Sequence, residues 1–266
     1  MQKVLKYAKT LDYQFLFHGP DHEKAFFNDI NNEVLYIDGA VLFIEKSPVR
    51  MTLYPAFKDK MSFKKALGGL YRLYGEAEIT IEVGEDKESE GLLNRMHTTF
   101  EEAGCIFKCE NMVMRAKRLV GNRQTITDNV LPFKGDPQAL YRLTTELLDK
   151  QTFNMDFEAF ESFLDDDATI VRCVTEGDII KGFIYGVIYN EGKSVFIRGL
   201  GVHPDYRRMG ISKKLMQGLF EEATKRHVHD SMLWVESSNT RAINLYKQFD
   251  FRPDGDKERH YIYRTR

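Results

Sequence analysis

Apolar and polar positions along this chain follow two periods, and the places where the period changes mark out its elements. In the second half, Leu140, Leu143, Leu147 and Leu148 recur at helical spacing behind Asp136-Pro137, a cap and first turn. That spacing predicts a helix over Leu140–Lys150. Phe157–Leu164 predicts a second short helix that runs into the acidic Asp165-Asp166-Asp167. Strand patterns follow in ATIVRCVTEG and DIIKGFIYGVIYN, divided by the hairpin signal Glu176-Gly177-Asp178. The turn Asn190-Glu191-Gly192-Lys193 then leads into a third strand, SVFIRGLGV. From Gly210 to Arg226, Ile211, Leu215, Leu219 and Ala223 share one helical face. SMLWVES predicts a strand, Thr240–Gln248 a helix with Ala242, Ile243, Leu245 and Tyr246 on its apolar side, and HYIYR a closing strand. Helices, three antiparallel strands, helix, strand, helix, strand is the order of a mixed α/β layer architecture.

The first half repeats part of that order. VLYIDGAVLFIE predicts a hairpin about Asp38-Gly39, VRMTLYPAF a strand and Phe63–Tyr74 a helix. EITIEV then predicts a strand, Glu90–Ala103 a helix and CIFKCENMVMRA a strand. YPAFKDKMSFKKALGGLY (Tyr54–Tyr71) can be set under HPDYRRMGISKKLMQGLF (His203–Phe220) without a gap. Pro55 then meets Pro204, Lys64-Lys65 meet Lys213-Lys214, and Gly69-Leu70-Tyr71 meet Gly218-Leu219-Phe220. Phe100–Cys105 likewise falls under Tyr246–Phe251. Two related domains in tandem, residues 1–120 and 121–266, are the simplest account, with a polar connector at Leu119–Gln124.

Composition narrows the function classes. A chain of 266 residues has room for two ordinary domains. Its 42% apolar and 29% charged residues are those of a globular protein. A net charge of −2 gives no global basic field, so no nucleic-acid partner is expected, the basic tail KERHYIYRTR reading better as a closing strand. No apolar run has membrane-spanning length and the start lacks a signal peptide's pattern, so a soluble, cytoplasmic protein with no membrane partner is expected. Three cysteines make no disulfide framework. Cys105 and Cys109 have no second Cys/His pair beside them, so they read as thiols on a half-buried strand, and no metal is expected. His227 and His229 read as the exposed end of a helix and the loop after it. The oligomeric state leaves no signal.

The stretch HPDYRRMGIS, from His203 to Ser212, carries the first chemical hint. A strand that turns into a helix presents that helix's first free N–H groups to one spot, where the helix dipole favours an anion. Gly210 lets a ligand approach the backbone, and Arg207 and Arg208 add forked positive charge. The stretch is neither a nucleotide-hydrolase loop nor a dinucleotide-binding fingerprint, and by itself it reads more readily as a solvated helix start than as a phosphate site.

The pattern Arg207-x-x-Gly210-x-Ser212, preceded by Gly201-Val202-His203-Pro204-Asp205-Tyr206, resembles the R/Q-x-x-G-x-G/A signature of the GNAT superfamily of N-acetyltransferases. LWVESSNTRAINLYKQFDF (Leu233–Phe251) resembles the family's second block, with Val235, Asn239, Ala242, Leu245, Tyr246 and Phe251 in register. The resemblance covers Thr125 to Arg266 and is faint in the first half. It implies two tandem GNAT-like domains, each a mixed central sheet flanked by helices. It also implies a gap between Phe196–Val202 and Met232–Glu236 that takes acetyl-CoA. Main chain at Leu200, Gly201 and Val202 would pair with the pantetheine amides, and amides of Arg208, Met209, Gly210, Ile211 and Ser212 would hold the pyrophosphate. Asn239 would hydrogen-bond the pantetheine arm, and Tyr246 would protonate the departing thiolate. Two positions depart from the family pattern: Ser212 stands for Gly or Ala, and Asp250 for the glycine before Phe251. Aspartate tolerates a left-handed backbone better than most residues.

No general base is evident, because Trp234 and Phe196 stand where family members place a glutamate. Glu236 is the nearest substitute, two residues beyond Trp234 on the same strand face. A water relay, or Asp156, Glu158 or Glu161, are other possibilities. In the first half, Asp59 falls under Arg208, Met61 under Gly210, Leu93 under Asn239 and Phe100 under Tyr246. A degenerate, non-catalytic first domain is therefore expected. The function expected is acetyl transfer from acetyl-CoA to a primary amine of an unidentified acceptor, by direct attack in a ternary complex. The competing reading is a non-catalytic acyl-CoA-binding sensor or scaffold.

Overall fold

A computed structural model describes residues 2–14, 20–37, 39–47, 50–86, 89–119, 130–148 and 153–266. Two compact units form: Met1–Met112 with Gly255–Arg266, and Val113–Asp254. This division differs from the expected 1–120 and 121–266 in giving the closing strand to the first unit. The connector expected at Leu119–Gln124 lies, apart from Leu119, outside the described residues, as does Asp38 of the expected hairpin turn. Each unit has helices on a mixed sheet. Among the described residues, no helix is long and apolar enough to cross a membrane.

The first unit begins with α1 (Gln2–Ala8), the short β1 (Tyr13–Gln14) and α2 (Pro20–Asn28), none of which the periodicity predicts. The hairpin β2 (Glu33–Ile37) and β3 (Ala40–Lys46) follows, then β4 (Met51–Phe57), α3 (Lys60–Tyr74), β5 (Glu78–Glu85), α4 (Leu92–Glu102) and β6 (Ile106–Ala116). β4 and β5 run parallel, the others shown paired antiparallel. The place beside β5 is taken by the chain's last strand, Arg252–Arg264, which pairs antiparallel from Lys257↔Glu85 to Arg264↔Glu78.

That strand carries core residues into the first unit. Tyr261 is fully buried and stacks on Phe100, ring centres 4.7 Å apart, while its hydroxyl meets His97 Nδ1 at 3.0 Å. It also brings Glu258 and His260 next to Glu82 of β5, three buried groups whose ligand atoms lie within 4.8 Å of one another. Nothing in the sequence pattern announces this cluster, because its members meet only through strand pairing. Arg50 Nη2 stands 2.9 Å from Glu82 Oε1, and His260 bonds Glu258, which makes the cluster a network of opposed charges. Burial lowers the pKa of His260, but its bond to Glu258 and the charges of Glu258 and Glu82 outweigh that, and the net shift is upward.

The second unit contains β7 (Val130–Pro132), α5 (Pro137–Leu147), α6 (Phe157–Asp165), β8 (Thr169–Glu176), β9 (Ile179–Tyr189) and β10 (Ser194–Val202). A 3₁₀ turn (Pro204–Tyr206), α7 (Ile211–Lys225), β11 (Asp230–Glu236) and α8 (Thr240–Lys247) complete it, and the closing strand of the first unit is β12. The strands lie in the order β11-β10-β9-β8-β7. Asp136 caps α5 by accepting from Gln138 N at 3.0 Å, with Pro137 in the first turn, as the sequence predicts. Asp156 caps α6 in the same way, accepting from Ala159 N at 2.9 Å. His227 and His229 are exposed just beyond α7. Burial pushes the Cys105 thiol up to about 12.

Two outcomes are expected. Tyr261→Ala should destabilise the first unit by roughly 3–5 kcal/mol, as for other large buried side chains cut to alanine, measured by urea denaturation. Because the folded-state pKa of His260 is raised, its contribution is complete below the ordinary value of 6.5 and is lost as pH rises through the higher folded value. Hydrogen exchange in β5 and β12 should therefore accelerate on raising pH beyond its intrinsic trend, and His260→Gln should flatten that excess.

Candidate active site

The site is built where two parallel strands of the second unit stop pairing. β10 and β11 are in register from Ser194↔Asp230 to Ile197↔Leu233. β10 runs on to Val202 and β11 to Glu236 without further pairs between them. At the same point the register of β10 against β9 shifts between Ile197 and Gly199, a β-bulge that bends the strand aside. β10 nevertheless stays paired with β9 through Leu200↔Ile184, Gly201↔Phe183 and Val202↔Gly182. The other edge of Leu200, Gly201 and Val202 faces the gap without a partner from β11, although the Val202 carbonyl accepts from Arg207. Gly201 is needed there for close packing, since an added Cβ would lie 2.5 Å from the Phe183 ring.

The turn into α7 keeps the helix start open. Arg207 Nε donates to the Val202 carbonyl at 3.2 Å, so this side chain braces the turn. Arg208 and Gly210 both take left-handed backbone, φ 67 and 74, on either side of the exposed Met209. Gly210 occupies the cap position of α7, where no side chain makes a capping bond. The first N–H groups of the helix are therefore left for an external acceptor. A Cβ at Gly210 would meet nothing within 4 Å, so the space beside this backbone is open.

A cavity of about 320 Å³ lies at this spot. Of the residues the sequence singles out, Val202, Arg208, Gly210, Ile211 and Ser212 line it. Arg207, Met209, Leu200, Gly201 and Asn239 do not. Tyr206, Lys213 and Arg241 line it unannounced. Lys213 follows from the helix start itself, being in the first turn of α7, and Arg241 from its place two residues beyond Asn239 in α8. With Arg208 they set three cations and an uncapped helix around one cavity whose lining holds no carboxylate, an arrangement for a polyanion.

The second sequence block shapes the far side. Asn239 caps α8, its Oδ1 accepting from Ala242 N at 3.0 Å, which leaves its side-chain NH₂ as the group able to donate elsewhere. Tyr246 is buried in α8, and burial pushes its hydroxyl up to about 12. It stays protonated across neutral and mildly alkaline pH. The turn that follows α8 closes at Asp250, whose φ of 62 shows the left-handed backbone expected where the family has glycine. Glu236 is exposed at the end of β11, on the face of Met232 and Trp234, and its Oε1 accepts from Ser238 Oγ at 2.5 Å. Asp156 is engaged as a helix cap, while Glu158 and Glu161 are exposed on α6.

The first unit answers each of these features differently. β4 and β5 also part, after Leu53↔Ile81, and Phe57 at the end of β4 packs on Phe63 of α3 and Phe100 of α4 in a buried cluster, 4.6 Å apart for Phe57 and Phe63. Asp59 caps α3, accepting from Ser62 N at 2.8 Å, and Glu85 accepts from Leu93 N in the first turn of α4 at 3.0 Å. Only Lys58 and Asp59 link β4 to α3, against His203 to Gly210 between β10 and α7. The gapless alignment is thus corrected: Pro55 lies inside β4, not in a turn like Pro204, and the cap position of Gly210 corresponds to Asp59 rather than Met61.

Comparison with known proteins agrees with this geometry. Residues 138–251 match the acetyltransferase (GNAT) family. The chain is 30% identical over 120 residues to the N-terminal acetyltransferase B complex catalytic subunit of Arabidopsis thaliana, covering 42% of this chain and 67% of that one. It is 32% identical over 76 residues to the thialysine N-epsilon-acetyltransferase of Mus musculus, covering 27% of this chain and 45% of that one, so it spans less than half of that relative's length. A solved tandem GNAT protein from the clavulanic acid biosynthesis pathway shares the fold at TM-score 0.53 and 11% identity, over 85% of this chain and 79% of that one.

One outcome isolates the scaffold role of Asn239: Asn239→Ala should cost about 1 kcal/mol by loss of the α8 cap, whereas Asn239→Asp, which can still cap, should leave the melting curve nearly unchanged.

An open helix start beside parted strands, the two sequence blocks that build them, and the match across the Arabidopsis relative together place this chain in the GNAT acetyltransferase family.

Proposed function

We propose that the second unit transfers an acetyl group from acetyl-CoA to a primary amine, by direct attack in a ternary complex. The observation that carries this reading is the uncapped start of α7 beside the fork of β10 and β11. The amides from Arg208 to Ser212, with Arg208, Lys213 and Arg241 around them, would hold the pyrophosphate. The free edge of Leu200–Val202 would pair with the pantetheine amides, with the Asn239 NH₂ as a further donor. Acetyl-CoA supplies the activated acyl group; the protein's part is to align it and to handle protons. Tyr246, kept protonated by burial, would donate to the departing thiolate sulfur. Glu236, exposed at the mouth of the gap, is the residue proposed to accept the amine's proton, directly or through water. No cysteine lies at the fork to carry the acyl group, which favours direct attack over a covalent relay.

We assign the first unit no cofactor. Phe57, Phe63 and Phe100 pack together where β4 ends, and carboxylates accept from the amides at the starts of α3 and α4. A carboxylate there repels an anion as well as occupying its donors.

Calorimetry with acetyl-CoA tests both statements. One site per chain is expected, and Gly210→Glu, which sets an acid over the open helix start, should weaken binding by at least about a hundredfold. No binding by the wild type would overturn the proposal, and two sites per chain would overturn the reading of the first unit. Tyr246→Phe should lower kcat by about a hundredfold or more while leaving acetyl-CoA affinity unchanged, as removal of a general acid does.

A further inference from the structure

Arg198 is the first residue of β10 beyond its last pair with β11, and it occupies the bulge. Its side chain turns toward the α5–α6 layer, where its guanidinium carbon lies 5.8 Å from the ring centre of Phe163 in α6. Its Nε is buried and meets no acceptor among the described residues. Other partly buried arginines of this unit are paired, Arg172 with Glu222 at 2.5 Å and Arg115 with Asp254. A guanidinium does not escape burial by losing its proton at neutral pH, so an unpaired one is a cost that folding alone does not relieve.

The position of Arg198 says what relieves it. The cations suited to the cofactor's phosphates stand at the other end of the gap, around the start of α7. An acetyl thioester carries no charge. The remaining molecule that must reach the fork is the acceptor, and the planar guanidinium matches a carboxylate through two parallel hydrogen bonds. We propose that Arg198 binds a carboxylate on the acceptor, which makes the acceptor an amino acid or a similar small molecule with a primary amine and a carboxylate. This inference rests on the acetyl-transfer reading above. Arg198 is a specificity residue in it: it sets which amine is held at the fork and takes no part in moving protons.

The test uses matched pairs of amines that differ by the carboxylate: lysine and cadaverine, ornithine and putrescine, phenylalanine and phenethylamine. In the wild-type full chain, release of CoA should favour the acid member of at least one pair by about tenfold or more in kcat/KM. Arg198→Gln should abolish that preference through KM for the acid, leaving KM for acetyl-CoA unchanged, and Arg198→Lys should recover part of it. Because the buried Nε has no acceptor in the free protein, Arg198→Gln should keep or raise Tm. Preference for the decarboxylated amines in every pair would overturn the inference. So would an Arg198→Gln variant with lowered Tm and equal losses on both members, the mark of a structural arginine. A second measurement separates this from failure of the acetyl-transfer reading: calorimetry of the N-acetylated acids in the presence of CoA. If no amine is acetylated yet those acids bind wild type and not Arg198→Gln, the carboxylate site stands and the transfer reading falls. If they bind neither protein and no pair is distinguished, the carboxylate site falls.

Discussion

The candidate site follows from one constraint: two adjacent parallel strands cease to pair halfway along their length. A parallel pair inside a sheet normally satisfies both edges of each strand, and leaving an edge open in the interior costs hydrogen bonds. The bulge at Arg198 makes the parting local, since β10 keeps its bonds to β9 while losing those to β11. Everything else in the site is placed relative to that opening. α7 follows β10 after the turn of residues 203–210, α8 follows β11, and the cavity's cations come from that turn (Arg208) and the first turns of both helices (Lys213 and Arg241).

The first unit shows that the parting alone is not the site. β4 and β5 diverge after three pairs, so the backbone frame is present there as well. Three phenylalanines pack together where β4 ends, and Asp59 and Glu85 take amides of the helix starts. The shorter link between β4 and α3 removes the residues that would correspond to Arg207 and Arg208. Each change improves ordinary stability, by burying apolar area or capping a helix, and each would remove a place for a phosphate.

Much of this was legible in the sequence because the signals are local. The helix from Gly210 and the cap at Asp136 are written in neighbouring residues; structure and pattern agree within a residue at α6, α7 and α8, while α5 starts three residues before Leu140. The left-handed Asp250 was legible for the same reason. What stayed hidden depends on distant pairing. The Glu82–Glu258–His260 cluster unites positions far apart in the chain, and the placement of Gly255–Arg266 in the first unit leaves no trace in periodicity. α1 and α2 went unread because they are short and carry little apolar repeat. The gapless alignment of the two halves misled because it preserved Lys64-Lys65 and Gly69-Leu70 within equivalent helices at the expense of the turn before them. Arg241 was passed over because surface arginines in a helix's first turn are ordinary until a cavity is seen beside them.

The second unit concentrates its unfavourable local choices in one place. An uncapped helix, a non-glycine residue at φ 67 and a buried arginine Nε without an acceptor lie between Arg198 and Ile211. Each costs on the order of 1 kcal/mol or more. A sequence selected only for stability would remove them, as the first unit has removed its counterparts with Asp59 and the stacked phenylalanines. Their survival is coherent only if something absent from the isolated fold completes them. On the proposed reading, an anion would satisfy the helix start and a second anion would satisfy Arg198. The distance in chemistry between those two demands, a phosphate at one end of the gap and a carboxylate at the other, is what turns an opening between strands into a site for two different molecules.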